Sequence, residues 1–137
     1  MNALAVIDTN VWVSGLFWKG TPSKIIHQVN KGLLIPCFSE ITFAELDKTI
    51  TKITQNLDSF NIYLHYRKRL LKYAFFVYPK DRVIICRDAK DNCLLEVAQA
   101  SGANFLISGD KDLLVVKKFK KTIIISPKKY LQENIKK

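Results

Sequence analysis

An apolar run of five residues, Ala3-Leu4-Ala5-Val6-Ile7, stops abruptly at Asp8-Thr9-Asn10. The run is too short for a helix and apolar on both faces. It reads as a buried strand that delivers a carboxylate to its C-terminal end. Ligands of open α/β sheets sit at the carboxyl ends of the strands, so this stretch constrains both the fold and the place where chemistry can occur.

Further strands of the same kind follow, alternating with helices. Gly15 and Gly20 punctuate what reads as a loop carrying Phe17 and Trp18. Thr21-Pro22 then supplies an N-cap and a proline at the first helical position, and Lys31-Gly32 a C-terminal stop. Ile25, Ile26 and Val29 form the buried stripe of that helix. Leu33–Phe38 is apolar on both faces, as a strand inside a covered parallel sheet should be, and Pro36 suggests its end or a position near an edge. Ser39 is a good N-cap for a helix with Phe43, Leu46, Ile50, Ile53 and Leu57 at helical spacing. Asp58 or Ser59 is placed to cap the next, with Phe60, Tyr63, Leu64, Leu71 and Ala74 on one face. Arg67, Lys68, Arg69 and Lys72 read as its solvated side.

Residues 75–79 and 83–86 both look extended, and either is able to join the sheet. Arg87-Asp88-Ala89-Lys90-Asp91-Asn92 leads into a helix with inner face Asp91, Leu94, Leu95 and Ala98, stopping at Ser101-Gly102. Phe105-Leu106-Ile107 is a strand, followed by Ser108-Gly109-Asp110-Lys111-Asp112 and a short helix with Leu113 and Leu114. Thr122–Ile125 is the last strand, and Ser126-Pro127 opens a terminal helix with Tyr130, Leu131 and Ile135. This alternation implies one domain over residues 1–137 with a parallel sheet covered on both faces.

Lys and Arg number 22 against 12 Asp and Glu, a net charge of +10. Such an excess favours polyanionic partners, nucleic acid above all, although a merely solvated surface fits charge alone equally well. No apolar stretch approaches the ~18 residues that a membrane span needs. The N-terminus lacks the basic region and cleavage site of a signal peptide, so the expected location is the cytoplasm. Cys37, Cys86 and Cys93 show no C-x-x-C spacing and are odd in number, which suits reduced thiols rather than a metal or redox site. His27 and His65 have no partner at ligand or triad spacing and read as structural.

Four acids sit at equivalent places. Asp8 ends the first strand, Glu45 lies in the helix after the second, Asp91 opens a helix, and Asp110 directly follows the Phe105–Ile107 strand. Asp88 and Asp112 flank two of them. Each has a plain structural role to set against a functional one: Asp88 and Asp112 as helix caps, Asp91 as a first-turn acid facing the helix dipole, Glu45 as an ordinary helix acid. Crowded at one sheet edge, however, four carboxylates would repel and destabilise the fold unless a cation neutralised them. Hard oxygen donors without cysteine or histidine select Mg²⁺ or Mn²⁺ over Zn²⁺. A basic protein with an acidic metal pocket suggests phosphodiester hydrolysis, by one ion or by two ~4 Å apart.

Val6–Leu16, with Asp8-Thr9-Asn10 at its centre, resembles the opening motif of PIN-domain ribonucleases. Gly20-Thr21-Pro22-Ser23, Arg87–Asn92 and Ser108–Leu113 resemble that family's toxin branch, the toxins of toxin–antitoxin pairs, with the motifs in the right order along essentially the whole chain. The resemblance implies a three-layer α/β/α sandwich around a mainly parallel five-stranded sheet. It implies a Mg²⁺- or Mn²⁺-dependent endoribonuclease in which Asp8, Glu45, Asp91 and Asp110 are the acidic quartet and Asp112 an additional acid. Asn10 and Ser108 would orient the acids or a metal-bound water, and Asp88 departs from the position usual for the third acid. The partners implied are an RNA substrate, a cognate antitoxin protein and, in solution, a homodimer.

Two other readings compete. A strand-ending Asp is also the nucleophile of aspartyl-phosphate phosphotransfer domains, but those require a D-x-D or paired-Asp arrangement, whereas Thr9 and Asn10 follow Asp8 here. A basic domain of this fold that holds RNA or protein without cutting is the second, and the complete quartet counts against it.

Overall fold

The computed structural model describes residues 2–54 and 56–135, the side chains of 134 and 135 excepted. The expected packing of Ile135 and the charges of Lys136 and Lys137 lie outside the described residues. Strands β1 (Ala3–Ile7), β2 (Leu34–Phe38), β3 (Phe75–Phe76), β4 (Phe105–Ile107), β5 (Lys118–Phe119) and β6 (Thr122–Ile125) form one sheet in the order β3-β2-β1-β4-β6-β5. The first five strands of that order pair in parallel, as expected; β5 adds a two-residue antiparallel strand at the β6 edge.

The helices are α1 (Thr9–Phe17), α2 (Thr21–Asn30), α3 (Glu40–Ile53), α4 (Leu57–Tyr73), α5 (Ala89–Ser101), α6 (Lys111–Leu114) and α7 (Pro127–Ile135). Alternation along β1 sorts them into two layers. Ala5 and Ile7 join a core with residues of α1, α2, α3, α4 and α7, whereas Val6 joins Leu94, Leu95 and Ala98 of α5 and Leu113 of α6. The architecture is therefore a three-layer α/β/α sandwich.

Several local expectations are corrected. Residues 9–17 form α1 rather than a loop, because Asp8 caps a helix into which Gly15 fits without strain. A Cβ at Gly15 would meet Ile26 Cγ1 at 2.4 Å and the Pro22 carbonyl oxygen at 2.7 Å, so the glycine permits α1 and α2 to touch. Trp12 is packed against Phe38 and Tyr66, while Trp18 stays exposed. Gly20, not Thr21, is the N-cap of α2, and its amide is bound by Ser23 Oγ. Helix α3 stops at Ile53, so Leu57 begins α4 and lies exposed; Asn56 rather than Asp58 or Ser59 caps α4 by accepting from the Ser59 amide. The buried face of α4 runs through Tyr63, Tyr66 and Leu70, leaving Leu64 and Leu71 exposed.

Of the two extended segments, residues 75–76 enter the sheet and 83–86 do not. The Ile85 and Cys86 amides are held by Asn92 Oδ1 and the Val83 amide by Glu96 Oε2, so α5 side chains take the donors that a ladder would have used. Pro36 lies within β2, and the ladder to β3 begins only at Cys37. Phe38, two residues on, presents its carbonyl to the β3 side, where it accepts from Val77. By strand alternation Pro36 nitrogen also faces that side, where no partner strand needs its missing N–H.

Candidate metal centre

The sheet order reverses around β1: the chain leaves it for β2 on one side and returns to β4 on the other. Such a switch point opens a crevice beyond the strand carboxyl ends. A cleft of about 430 Å³ lies there, lined by Asp8, Asn10, Glu45, Asp88, Asp91 and Asp110 among others. The four expected acids and Asn10 thus share one cleft.

Each acid is delivered by a short-range device. Asp8 caps α1, its Oδ1 accepting from the Asn10 amide at 3.4 Å. Its Oδ2 accepts from Ser108 Oγ at 2.6 Å. That same Oγ accepts the Asp110 amide at 3.0 Å, so one fully buried hydroxyl ties the ends of β1 and β4 together. Asp110 caps α6 through the Asp112 amide, and Asp88 caps α5 through the Lys90 amide. The cap role considered for Asp112 belongs to Asp110, the residue directly before the first helical turn; Asp112 instead pairs with the Arg87 guanidinium at 3.0 Å.

Asp91, Asp110 and Asp112 each offer an oxygen such that all three atoms lie within 4.8 Å of one another. Asp91 is buried, and its Oδ2 has no hydrogen-bond partner. A buried carboxylate oxygen without a donor is costly unless a cation or proton meets it. Burial first, then contact with Asp110 and the charges of Asp88 and Asp8, pushes the Asp91 carboxyl up to about 7. Oxygen-only donors of this density fit a hard divalent cation and no soft one.

Glu45 lines the cleft but is engaged elsewhere. Lys90 Nζ sits 3.0 Å from its Oε1 and holds the carboxyl below the usual range, helped by Thr49. Asn10 is exposed at the cleft mouth. The three cysteines are free thiols; burial raises Cys37 to about 11 and also raises Cys86 and Cys93, so none is poised as a thiolate ligand. Sequence reasoning passed over Lys90 as part of the cleft and Asn92 as the tether of the 83–86 segment, although both lie inside the Arg87–Asn92 motif. It also passed over Asp47, which no motif marks: Asp47 accepts from Tyr63 and from Arg67 Nε and Nη2, the latter two at 2.9 Å, locking α3 to α4.

A family model described as PIN domain matches residues 4–112. MJ1680, an uncharacterized protein of Methanocaldococcus jannaschii, is 29% identical over 139 residues, covering 93% of this chain and 89% of the relative. The crystal structure of PAE2754 from Pyrobaculum aerophilum superposes with a TM-score of 0.63 at 17% identity, over 99% of this chain and 91% of that one. VapBC2 from Rickettsia felis, in a crystal structure bound to a DNA fragment from its promoter, gives 0.60 at 14% identity, over 90% and 98%. At these identities the two structures speak to the fold.

Proposed function

We propose, from the premise that this chain belongs to the PIN-domain family, that it is a metal-dependent endoribonuclease and the toxin of a type II toxin–antitoxin pair. The observation that carries the reading is the buried, partnerless Asp91 Oδ2 beside Asp110 and Asp112. Those three carboxylates would hold a Mg²⁺ or Mn²⁺ ion, with Asp8 completing the acidic wall of the same cleft. A bound ion there would supply charge for the developing phosphate and lower the pKa of its water.

The chain's own residues do the rest. Ser108 fixes Asp8 and the Asp110 turn in one orientation, so the acids meet a ligand without rearranging. Asn92 pins the 83–86 segment and thereby the entrance to α5. Lys90 is the one cation lining the cleft among the described residues, and it offsets the Glu45 charge at the mouth. The +10 surface draws an RNA backbone towards a cleft that would otherwise repel it. An antitoxin partner is supported by the shared fold with VapBC2.

The test is cleavage of RNA by the purified protein with Mg²⁺ or Mn²⁺, with EDTA, and by Asp8→Asn and Asp91→Asn. Cutting that requires metal and both carboxylates is expected. A folded Asp8→Asn protein that cuts at the wild-type rate would overturn the site assignment.

A further inference from the structure

A second groove, of about 660 Å³, lies at the other end of the molecule. It is bounded by Lys31 after α2, by the start of β2, and by the C-terminal half of α4, with Lys68, Arg69 and Lys72 on its wall. The acidic cleft lies beyond the carboxyl end of β1, whereas Asn2 before β1 lines this groove; the six residue steps from Asn2 to Asp8 separate them by ~20 Å. No acid lines the groove, all four cations are exposed, and none makes an ion pair among the described residues. Lys72 Nζ lies 5.3 Å from the ring centre of Tyr73, which is 65% exposed. Tyr66 forms part of the floor, fixed by its hydroxyl donating to Asn30 Oδ1 and covered by Arg69.

We propose that this groove binds the phosphate backbone of single-stranded RNA, with a base stacked on Tyr73. Cations arriving from two separate segments suit an extended polyanion, and an exposed aromatic beside a lysine suits a base face. An extended peptide is disfavoured by the groove's own edge. The β2 residues whose backbone faces the free side here are Leu34 and Pro36, and Pro36 has no N–H for an added strand. The inference rests on the reading that RNA is this protein's partner, but not on cleavage.

The experiment is fluorescence anisotropy of a labelled 20-nucleotide oligouridine with the full chain in EDTA, from 25 to 200 mM salt. The variants are Lys68→Glu/Lys72→Glu, Tyr73→Ala, and a control, Lys128→Glu/Lys129→Glu, on the exposed side of α7; circular dichroism checks each fold. The groove double variant is expected to weaken binding at least tenfold and to flatten the salt dependence by about 1.4 in log–log slope, since each single-strand phosphate contact contributes about 0.7. Tyr73→Ala is expected to weaken binding by at least fivefold without changing that slope. Equal losses in the groove and control variants would overturn the proposal, as would no binding by the wild type. Polyglutamate of equal charge displacing the RNA as well as unlabelled RNA does would also overturn it. RNA held in the groove by a protein that never cuts with metal would uphold this site while removing the nuclease reading.

Discussion

Replacing Asp91 by Asn is expected to stabilise the metal-free protein at pH 8, the opposite of what a buried polar substitution normally does. The Asp91 carboxyl is raised from 3.8 to about 7. A folded pKa above the unfolded one means that the native state holds more protons between those values. Stability therefore falls as pH climbs through that window and levels off above it. At about 1.4 kcal/mol per pKa unit, ionising Asp91 in the folded state costs on the order of 4 kcal/mol. Asn removes that cost but leaves Asp8, Asp88, Asp110 and Asp112 crowded together. The expected net gain at pH 8 is about half, roughly 2 kcal/mol.

For a domain of this length that corresponds to about 7 °C in Tm. The assay is thermal unfolding followed by circular dichroism in EDTA at pH 5 and pH 8, wild type against Asp91→Asn. Wild type should melt well below the variant at pH 8, and the two should converge at pH 5. Adding Mg²⁺ to about a hundredfold above its Kd should then raise the wild type by about 2.7 kcal/mol and leave the variant little changed. A variant melting lower than wild type by the same margin at both pH values would refute the reasoning, because Asp91 would then be satisfied inside the fold.

Ser108→Ala removes the bond that Asp8 accepts and the one the Asp110 amide makes. It should cost about 1–3 kcal/mol and depress kcat more than KM, measured by denaturant unfolding and steady-state cleavage. Gly15→Ala improves helix propensity by about 1 kcal/mol, yet its Cβ would press on Ile26 and the Pro22 backbone. Overpacking of about 1–3 kcal/mol should prevail, so a higher Tm would contradict the close-approach argument. Asp47→Ala leaves the Tyr63 hydroxyl and Arg67 without their shared acceptor. A loss of about 1–2 kcal/mol in chemical denaturation is expected, with cleavage unchanged.

The parts of this molecule readable from sequence are those whose signal is local. Apolar runs of strand length marked β1, β2, β4 and β6, and helical spacing marked the inner face of α5 with Asp91 on it. The cleft was legible because Asp8, Asp91 and Asp110 stand next to a strand end or a helix start, with Glu45 in the second turn of the helix after β2. What was not legible depends on pairs distant in sequence. That Gly15 sits inside a helix rather than punctuating a loop shows only in its close approach to Pro22 and Ile26 of α2. Whether residues 83–86 pair as a strand turns on Asn92 and Glu96 reaching back to their amides. The α4 stripe was right at Tyr63 but misplaced at Leu64 and Leu71, because leucines stand on both sides of that helix and only the packing of Tyr66 and Leu70 into the core selects between them.

The charge distribution gives these observations one physical logic. In a protein of net charge +10, an acidic cleft is an electrostatic exception that folding must sustain before any ion arrives. The structure sustains it by dividing the carboxylates. Glu45 is paired with Lys90 and Asp112 with Arg87, and Asp8 accepts from Ser108. Among the described residues only Asp91 keeps a buried carboxylate oxygen with no donor, and it is the carboxyl that burial and its neighbours raise to about 7. The unrelieved charge is thereby concentrated at a single atom, flanked by two further carboxylate oxygens. An incoming divalent cation gains the attraction of all three while displacing at most one proton. Ion binding should accordingly release close to one proton at pH 6 and almost none at pH 8.5, measurable by calorimetry in buffers of different ionisation enthalpy. A pH-independent proton release would mean that Asp91 is not the group that exchanges a proton for the metal.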